Sequence, residues 1–162
     1  TLQLDFSLPE QFNLEYINQE GNAQRPTMLH RAMFGSIERF MGVILEHYAG
    51  ALPLWLSPIQ VIVIPIADRH IEYAEEINQQ LINAHFRANI DSRSERMNSK
   101  IRDAQIQKIP YMLIVGDKEQ EEKTVAIRKR KDRIQENMTI DTLLRHLTEN
   151  LYTKVLEIQQ GN

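Results

Sequence analysis

The sequence predicts an α/β fold: a three-layer domain on a mostly parallel, mixed, five-stranded sheet, preceded by an antiparallel β-plus-helix segment. Three observations predict it. Residues 1–32 alternate apolar and polar side chains in short runs, as antiparallel strands with one covered face do. Two later runs, Gln60–Ala67 and Tyr111–Val115, are almost continuously apolar, as strands covered on both faces are. From residue 59 onward, strands and helical stripes follow in the order β-α-β-α-β-β-α.

Each element follows from its pattern. Leu2, Leu4, Phe6 and Leu8 share one face, which predicts a strand over 1–8, and Phe12, Leu14 and Tyr16 predict a second. Gln19–Asn22 reads as a turn in which Gly21 can take positive φ. Pro26 opens a further strand, Thr27–Ala32, which breaks at Gly35. A helix runs from Ser36 to about Tyr48 with Ile37, Phe40, Met41, Ile44, Leu45 and Tyr48 at helical spacing. Ser36 is its N-cap, and Gly50 and Pro53 stop it. The proline-containing span Ala49–Pro58 reads as a link, so we expect one domain over 1–58 and another over 59–162.

In the second domain Gln60–Ala67 is a buried strand and Ile71–Phe86 a helix with Ile71, Ala74, Ile77, Leu81 and Ile82 on one stripe. Asn89–Asp91 is a short strand, Met97–Gln107 a helix ended by Pro110, and Tyr111–Val115 a buried strand. Gly116-Asp117-Lys118 reads as a turn, Thr124–Lys131 as a strand and Asp132–Asn137 as a loop. Thr139–Leu156 is a last helix carrying Ile140, Leu143, Leu144, Leu147, Leu151 and Val155.

Composition narrows the function classes. Of 162 residues, 42% are apolar and 25% charged, as in ordinary globular chains. No apolar run reaches the roughly 18–20 residues of a membrane span, and the N-terminus has no signal-peptide pattern. The absence of cysteine excludes disulfides and thiolate metal sites within the chain, and fits a cytoplasmic setting. A start at Thr1, inside a strand pattern, suggests truncation. The net charge of −3 argues against a generally basic nucleic-acid binder, but Arg128, Lys129, Arg130, Lys131 and Arg133 form a local basic cluster that can meet phosphates. There is no phosphate-binding glycine loop, nucleophile elbow or paired-carboxylate signature.

The junction His30-Arg31-Ala32-Met33-Phe34-Gly35-Ser36-Ile37-Glu38-Arg39-Phe40 brings an imidazole, a hydroxyl and an arginine to a helix N-terminus. Such termini attract anions. With Met28-Leu29 before it and Trp55-Leu56-Ser57-Pro58 after it, this stretch resembles motif 3 of class II aminoacyl-tRNA synthetases, in its threonyl form. Thr1–Phe6 resembles the preceding strand, and residues 59–162 resemble the family's anticodon-binding domain. On spacing alone Arg39 reads as a solvated arginine paired with Glu38 or Glu46. The resemblance makes it the arginine that grips ATP phosphate and offsets charge as the threonine carboxylate attacks the α-phosphorus.

A lone strand histidine is ordinarily a hydrogen-bonded core or surface residue. The resemblance makes His30 the third protein ligand of a zinc that binds the threonine amino and hydroxyl groups and so rejects valine. The other two ligands, a cysteine and a histidine, are expected upstream, so no zinc is expected on this chain alone. Gln3 and Ser36 match positions that line the threonine pocket.

Ser94, Arg102, Glu119 and Arg128 lie where an open α/β sheet collects ligands or on elements next to it. By themselves they read as a solvated charged rim. Carboxylates and guanidinium groups also suit base edges in a single-stranded loop. The resemblance places Ser94, Glu119 and Arg128 on anticodon-reading positions, and Arg102, which the pattern puts on the helix beyond, is read as a further anticodon contact. Ser94 stands where the family often has asparagine. Lys129, Arg130 and Lys131 are read as contacts to the tRNA backbone.

The resemblance thus implies the C-terminal segment of a threonine-activating ligase that uses Mg²⁺-ATP and zinc, charges tRNA(Thr) and forms a homodimer. The segment alone is expected to be inactive, because the arginine that faces Arg39 and two zinc ligands are expected upstream. A non-catalytic tRNA-binding accessory protein is the alternative, and a flavodoxin-like enzyme is a third reading. His30, Ser36 and Arg39 speak against the former, and the lack of a glycine-rich loop after Ile66 against the latter.

Overall fold

The computed structural model describes residues 1–130 and 135–159. Contacts divide the chain into Thr1–His47 and Tyr48–Asn162. The segment 48–58, read from its prolines and glycine as a link, packs within the second unit.

In the first unit, β1 (Leu2–Asp5) pairs antiparallel with β4 (Met28–Arg31), with Gln3 opposite His30 and Asp5 opposite Met28. The strand expected over 1–8 ends early, because Asp5 Oδ1 accepts the backbone N–H groups of Ser7 and Leu8 at 2.8 and 3.0 Å. That bond satisfies donors at the start of a short helix, α1 (Ser7–Gln11). Phe12 therefore sits in the turn after α1, its N–H bonded to Leu8 O, and not in a strand. The hairpin pairs only β2 (Tyr16–Ile17) with β3 (Ala23–Gln24). Its turn is closed by Asn18 Oδ1, which accepts from Glu20 and Asn22, with Gly21 at φ +82°.

Helix α2 (Ile37–His47) begins where the capping pattern puts it. Ser36 Oγ accepts the Arg39 backbone N–H at 3.1 Å, and the Phe34 and Phe40 rings stack at 4.6 Å across the helix start. None of its residues is buried, and Ile37, Met41, Val43 and Leu45 are exposed.

The second unit is built on a five-stranded sheet in the order β6-β5-β7-β8-β9. Strand β5 (Val61–Pro65) pairs parallel with both β6 (Ala88–Ile90) and β7 (Tyr111–Val115). Strand β8 (Thr124–Lys129) is antiparallel to β7 and to β9 (Gln135–Thr139), so four of the five strands run one way. The helices are α3 (Ile71–Asn83), α4 (Met97–Ile106), α5 (Asp117–Glu122) and α6 (Ile140–Gln159).

Alternate strand residues feed opposite faces. Val61, Val63, Leu113, Val115, Val125 and Ile127 pack with Tyr73, Ala74, Ile77 and Leu81 of α3 and Leu143 and Leu147 of α6. Ile62, Ile64, Met112, Ile114 and Ala126 pack with Ile101 and Ala104 of α4 on the other face. Both faces being covered explains the unbroken apolar runs. Each fully buried aliphatic side chain contributes about 1.5–3 kcal/mol.

Two expectations are corrected here. The Gly116-Asp117-Lys118 turn is the N-terminus of α5: Glu119 Oε2 reaches back to accept Gly116 N–H at 3.0 Å. The loop expected over 132–137 gives way to strand β9 from Gln135, while residues 131–134 lie outside the described residues. Gln135-Glu136-Asn137-Met138-Thr139 is too polar to announce a strand, as befits an edge.

Candidate nucleic-acid interface and nucleotide half-site

Parallel pairing brings the C-terminal ends of β5, β6 and β7 to one edge of the sheet, so the chain segments after Pro65, Ile90 and Val115 open on the same side. After β6, the buried Asp91 carboxylate grips the Arg93 guanidinium bidentately at 2.9 and 2.7 Å, and Arg93 also reaches Asp103 at 2.8 Å. These bonds hold the Asp91 carboxyl below its usual range, with the Lys100 charge contributing, and raise Arg93 further. Glu95 is fixed by the Ser99 hydroxyl, which donates at 2.8 Å. Ser94 stands exposed between Arg93 and Glu95.

After β5, His70 is 1% exposed. Its Nδ1 accepts Ala67 N–H at 3.2 Å, which makes Nε2 the protonated nitrogen, and Nε2 donates to Asp117 Oδ1 at 2.9 Å. Arg69 adds a bidentate grip on Asp117 at 2.8 and 2.6 Å. The segment after β5 is thereby tied to the start of α5. Arg69 first and His70 second hold the Asp117 carboxyl well below the usual carboxylate range.

A cleft of about 350 Å³ opens between the segments after β5 and β6, lined by Ile66, Asp68, Ser94, Arg96 and Lys100 among others. A Cβ built on Gly116 would lie 2.7 Å from Ile66 Cδ1 and 3.1 Å from Glu119 Oε2. Ile66 thus packs close to Gly116, beside Glu119, and also lines the Ser94 cleft. Arg102 and Arg128 do not line it: Arg102 is exposed on α4, and Arg128 lies along β8 opposite Met112.

Arg128 Nε is buried and has no hydrogen-bond partner among the described residues. Lys129 is half-buried, 4.0 Å from Glu136. Arg130 differs from Arg128 and Lys129. Its guanidinium donates to Leu52 O at 3.2 Å, Lys108 O at 2.7 Å and Ala51 O at 3.1 Å, which leaves it poorly placed to meet a phosphate. Lys131 lies outside the described residues.

In the first unit, Gln3, Asp5, Met28 and His30 share a face of the β1–β4 pair, because opposed antiparallel residues point the same way. His30 Nε2 lies 2.9 Å from Asp5 Oδ2. The Leu8 N–H bond first, and His30 next, hold Asp5 below its usual range. An imidazole oriented by a carboxylate through one nitrogen offers the other to a metal, so His30 fits a single zinc ligand. Among the described residues no group of three metal-binding side chains forms. Arg39 is exposed on the first turn of α2, and the Ser36 hydroxyl oxygen caps that turn.

Sequence reasoning missed Lys100, Asp91 and the Arg69–His70–Asp117 cluster. One signal was available: Lys100 falls three residues after Met97 and four before Ala104, on the apolar stripe of α4.

Residues 60–150 match the family described as anticodon binding domain, and residues 1–48 match the class II tRNA synthetase core domain of the G, H, P, S and T enzymes. A threonine–tRNA ligase of Sulfurihydrogenibium sp. is 54% identical over 154 residues, covering 95% of this chain and 24% of that protein. One from Carboxydothermus hydrogenoformans is 58% identical over 130 residues, covering 80% of this chain and 20% of that protein. The chain thus spans about a quarter or less of the length of these relatives. The crystal structure of the RNA binding domain of threonyl-tRNA synthetase from Cryptosporidium parvum Iowa II superposes with a TM-score of 0.78 at 41% identity, covering 91% of this chain and 38% of that one. Among the described residues no helix is long and apolar enough to cross a membrane. With an edge of parallel strands that gathers charged loops, and with more than half of its length matched, the chain belongs to the anticodon binding domain family, joined to a stretch of class II tRNA synthetase core.

Proposed function

We propose that this chain is a segment of threonine–tRNA ligase in which residues 59–162 read the anticodon loop of tRNA(Thr) and residues 1–58 supply part of the ATP and threonine site. The parent enzyme activates threonine with Mg²⁺-ATP, transfers it to tRNA, works as a homodimer in the cytoplasm and holds zinc. The observation that carries this reading is the shared edge after β5, β6 and β7, where Ile66 lines a cleft with Ser94 and Glu119 follows β7.

In the anticodon domain, Ser94 and Glu119 offer short polar groups to base edges, and Arg102 and Arg128 offer guanidinium forks. The buried Nε of Arg128 supports a role that completes only with a ligand, since a buried donor left unpaired is costly. Lys129 and Lys131 meet the backbone. Arg130 holds carbonyls of its own chain instead.

In the half-site, zinc would supply a hold on the substrate amino and hydroxyl groups. His30, oriented by Asp5, is one of its ligands. Arg39 offsets phosphate charge, and Gln3 and Ser36 border the threonine. The Asp5–His30 pair favours the ligase over a non-catalytic accessory protein, which has no use for an oriented imidazole.

Binding to transcripts that differ only in the anticodon tests the reading. The chain should prefer the threonine anticodon, and Glu119→Gln or Arg128→Met should relax that preference. Equal affinity for all anticodons would refute the proposal.

A further inference from the structure

Lys100 is 4% exposed, yet it lines the cleft between the segments after β5 and β6. A lysine is almost never buried unless paired. Its Nζ donates one hydrogen bond, to Pro65 O at 3.2 Å, while an ammonium carries three N–H groups. The nearby Asp91 carboxylate already uses both oxygens on Arg93. Two of its N–H groups thus have no partner among the described residues, and the lysine borders a space that is open on one side.

The rest of the cleft defines what those donors meet. Ile66, at the end of the strand, is 46% exposed and gives an apolar wall. The charges on the lining nearly cancel: Asp68 and Glu95 against Arg96 and Lys100, with Arg93 held by Asp91 and Asp103. A phosphate would face those carboxylates at a cost, whereas a flat neutral ring with a carbonyl acceptor matches all three features.

We propose that Lys100 is a base-reading residue: the cleft takes one unstacked nucleobase, with its ring against Ile66 and its exocyclic carbonyl accepting from Lys100. This rests on the anticodon reading above and adds to it a contact that pattern alone does not reveal. The carbonyl is guanine O6 or uracil O4, two groups that offer the same acceptor.

The test is a double-mutant cycle between protein and RNA, using the full chain. Each anticodon-loop guanine is replaced in turn by 2-aminopurine, which lacks O6, and each uracil by pyrimidin-2-one, which lacks O4. At one position the replacement should weaken binding about tenfold or more, as loss of a charge-assisted hydrogen bond does. Lys100→Met should weaken native RNA by a similar factor and show no further loss with that replaced base. Whichever base type shows the coupling identifies the carbonyl.

Independent, multiplicative losses would make Lys100 structural and overturn the proposal. So would the absence of any sensitive carbonyl while anticodon preference persists, a result that leaves the broader reading standing. Loss of all anticodon preference in the unaltered protein would remove both. Should Lys100→Met fail to fold, the ¹⁵N resonance of the Lys100 ammonium in the unaltered protein decides. It should shift with native RNA and stay in place with the carbonyl-deleted RNA, and an unmoved resonance with both overturns the proposal.

Discussion

The buried ring of His70 donates through Nε2 to Asp117 Oδ1 at 2.9 Å, across 47 residues of sequence. It joins the segment after β5 to the first turn of α5, the helix that carries Glu119. Its energetics are open to measurement, because the Asp117 carboxyl titrates below its ordinary range in the folded chain.

The sign follows from linkage. A carboxyl depressed on folding stabilises the fold above its unfolded value of about 3.9, and that contribution fades as pH falls toward the folded value. Thermal melts of the unaltered chain should therefore lose stability from about pH 5 downward. Asp117→Asn should lower Tm by about 2–4 °C at pH 7 and flatten this part of the pH profile. An unchanged pH profile would show that the cluster contributes nothing to stability.

Arg128 should behave as a binding residue whose guanidinium is poorly served by the fold. Arg128→Met removes a buried donor that has no partner among the described residues. Stability by urea unfolding should hold or rise, while the preference for the threonine anticodon falls by about 1–3 kcal/mol of discrimination. Loss of stability with preference intact would reverse the assignment.

Lys129 and Arg130 are neighbours with opposite expected phenotypes. Lys129→Ala should leave stability near its starting value, reduce the salt slope of tRNA binding by about one unit and keep anticodon preference. Arg130→Ala abandons three backbone carbonyls and should cost about 2 kcal/mol or more in urea unfolding. A destabilising Lys129→Ala with a harmless Arg130→Ala would contradict both assignments.

Asp5 should matter to the metal more than to the fold. Asn can still accept from Ser7 and Leu8, but it carries no charge to hold the His30 ring. In a complete ligase containing this segment, Asp5→Asn should weaken zinc retention about 10–100-fold in a chelator competition. Unaltered retention would leave His30 without a positioning partner.

Legibility in the sequence tracked how plainly a residue pattern declares its own structure. Tyr111–Val115 was legible to the residue, because a strand buried on both faces has no polar position to blur its ends. Ser36 announced its helix through its own hydroxyl. The features that misled turn on a single carboxylate bonding backbone N–H groups two or three residues away, or on strand pairing alone. Asp5 turns an alternating run into helix α1, Glu119 turns a glycine turn into the start of α5, and β9 is a polar edge that exists by pairing with β8. Of the anticodon residues picked by resemblance, Ser94 lines the cleft and Glu119 follows β7 in the first turn of α5, whereas Arg128 lies along β8 opposite Met112. Lys100 escaped because a charge is assumed to face water, although this one falls on the apolar stripe of α4 and is buried there.

The bonds from Arg130 to the carbonyls of Ala51 and Leu52 span 79 and 78 residues. Lys108 adds a hydrogen bond to the Ala49 carbonyl. Contacts so remote in sequence carry a large loop-closure entropy until β5, β7 and β8 have already assembled. The segment 49–52 should therefore dock in a late step of folding and be the first part of its unit to come away. A protease directed at those residues would then act as a clock for completed assembly: it would cut quickly while the sheet is unfinished, and slowly once Arg130 has closed over them.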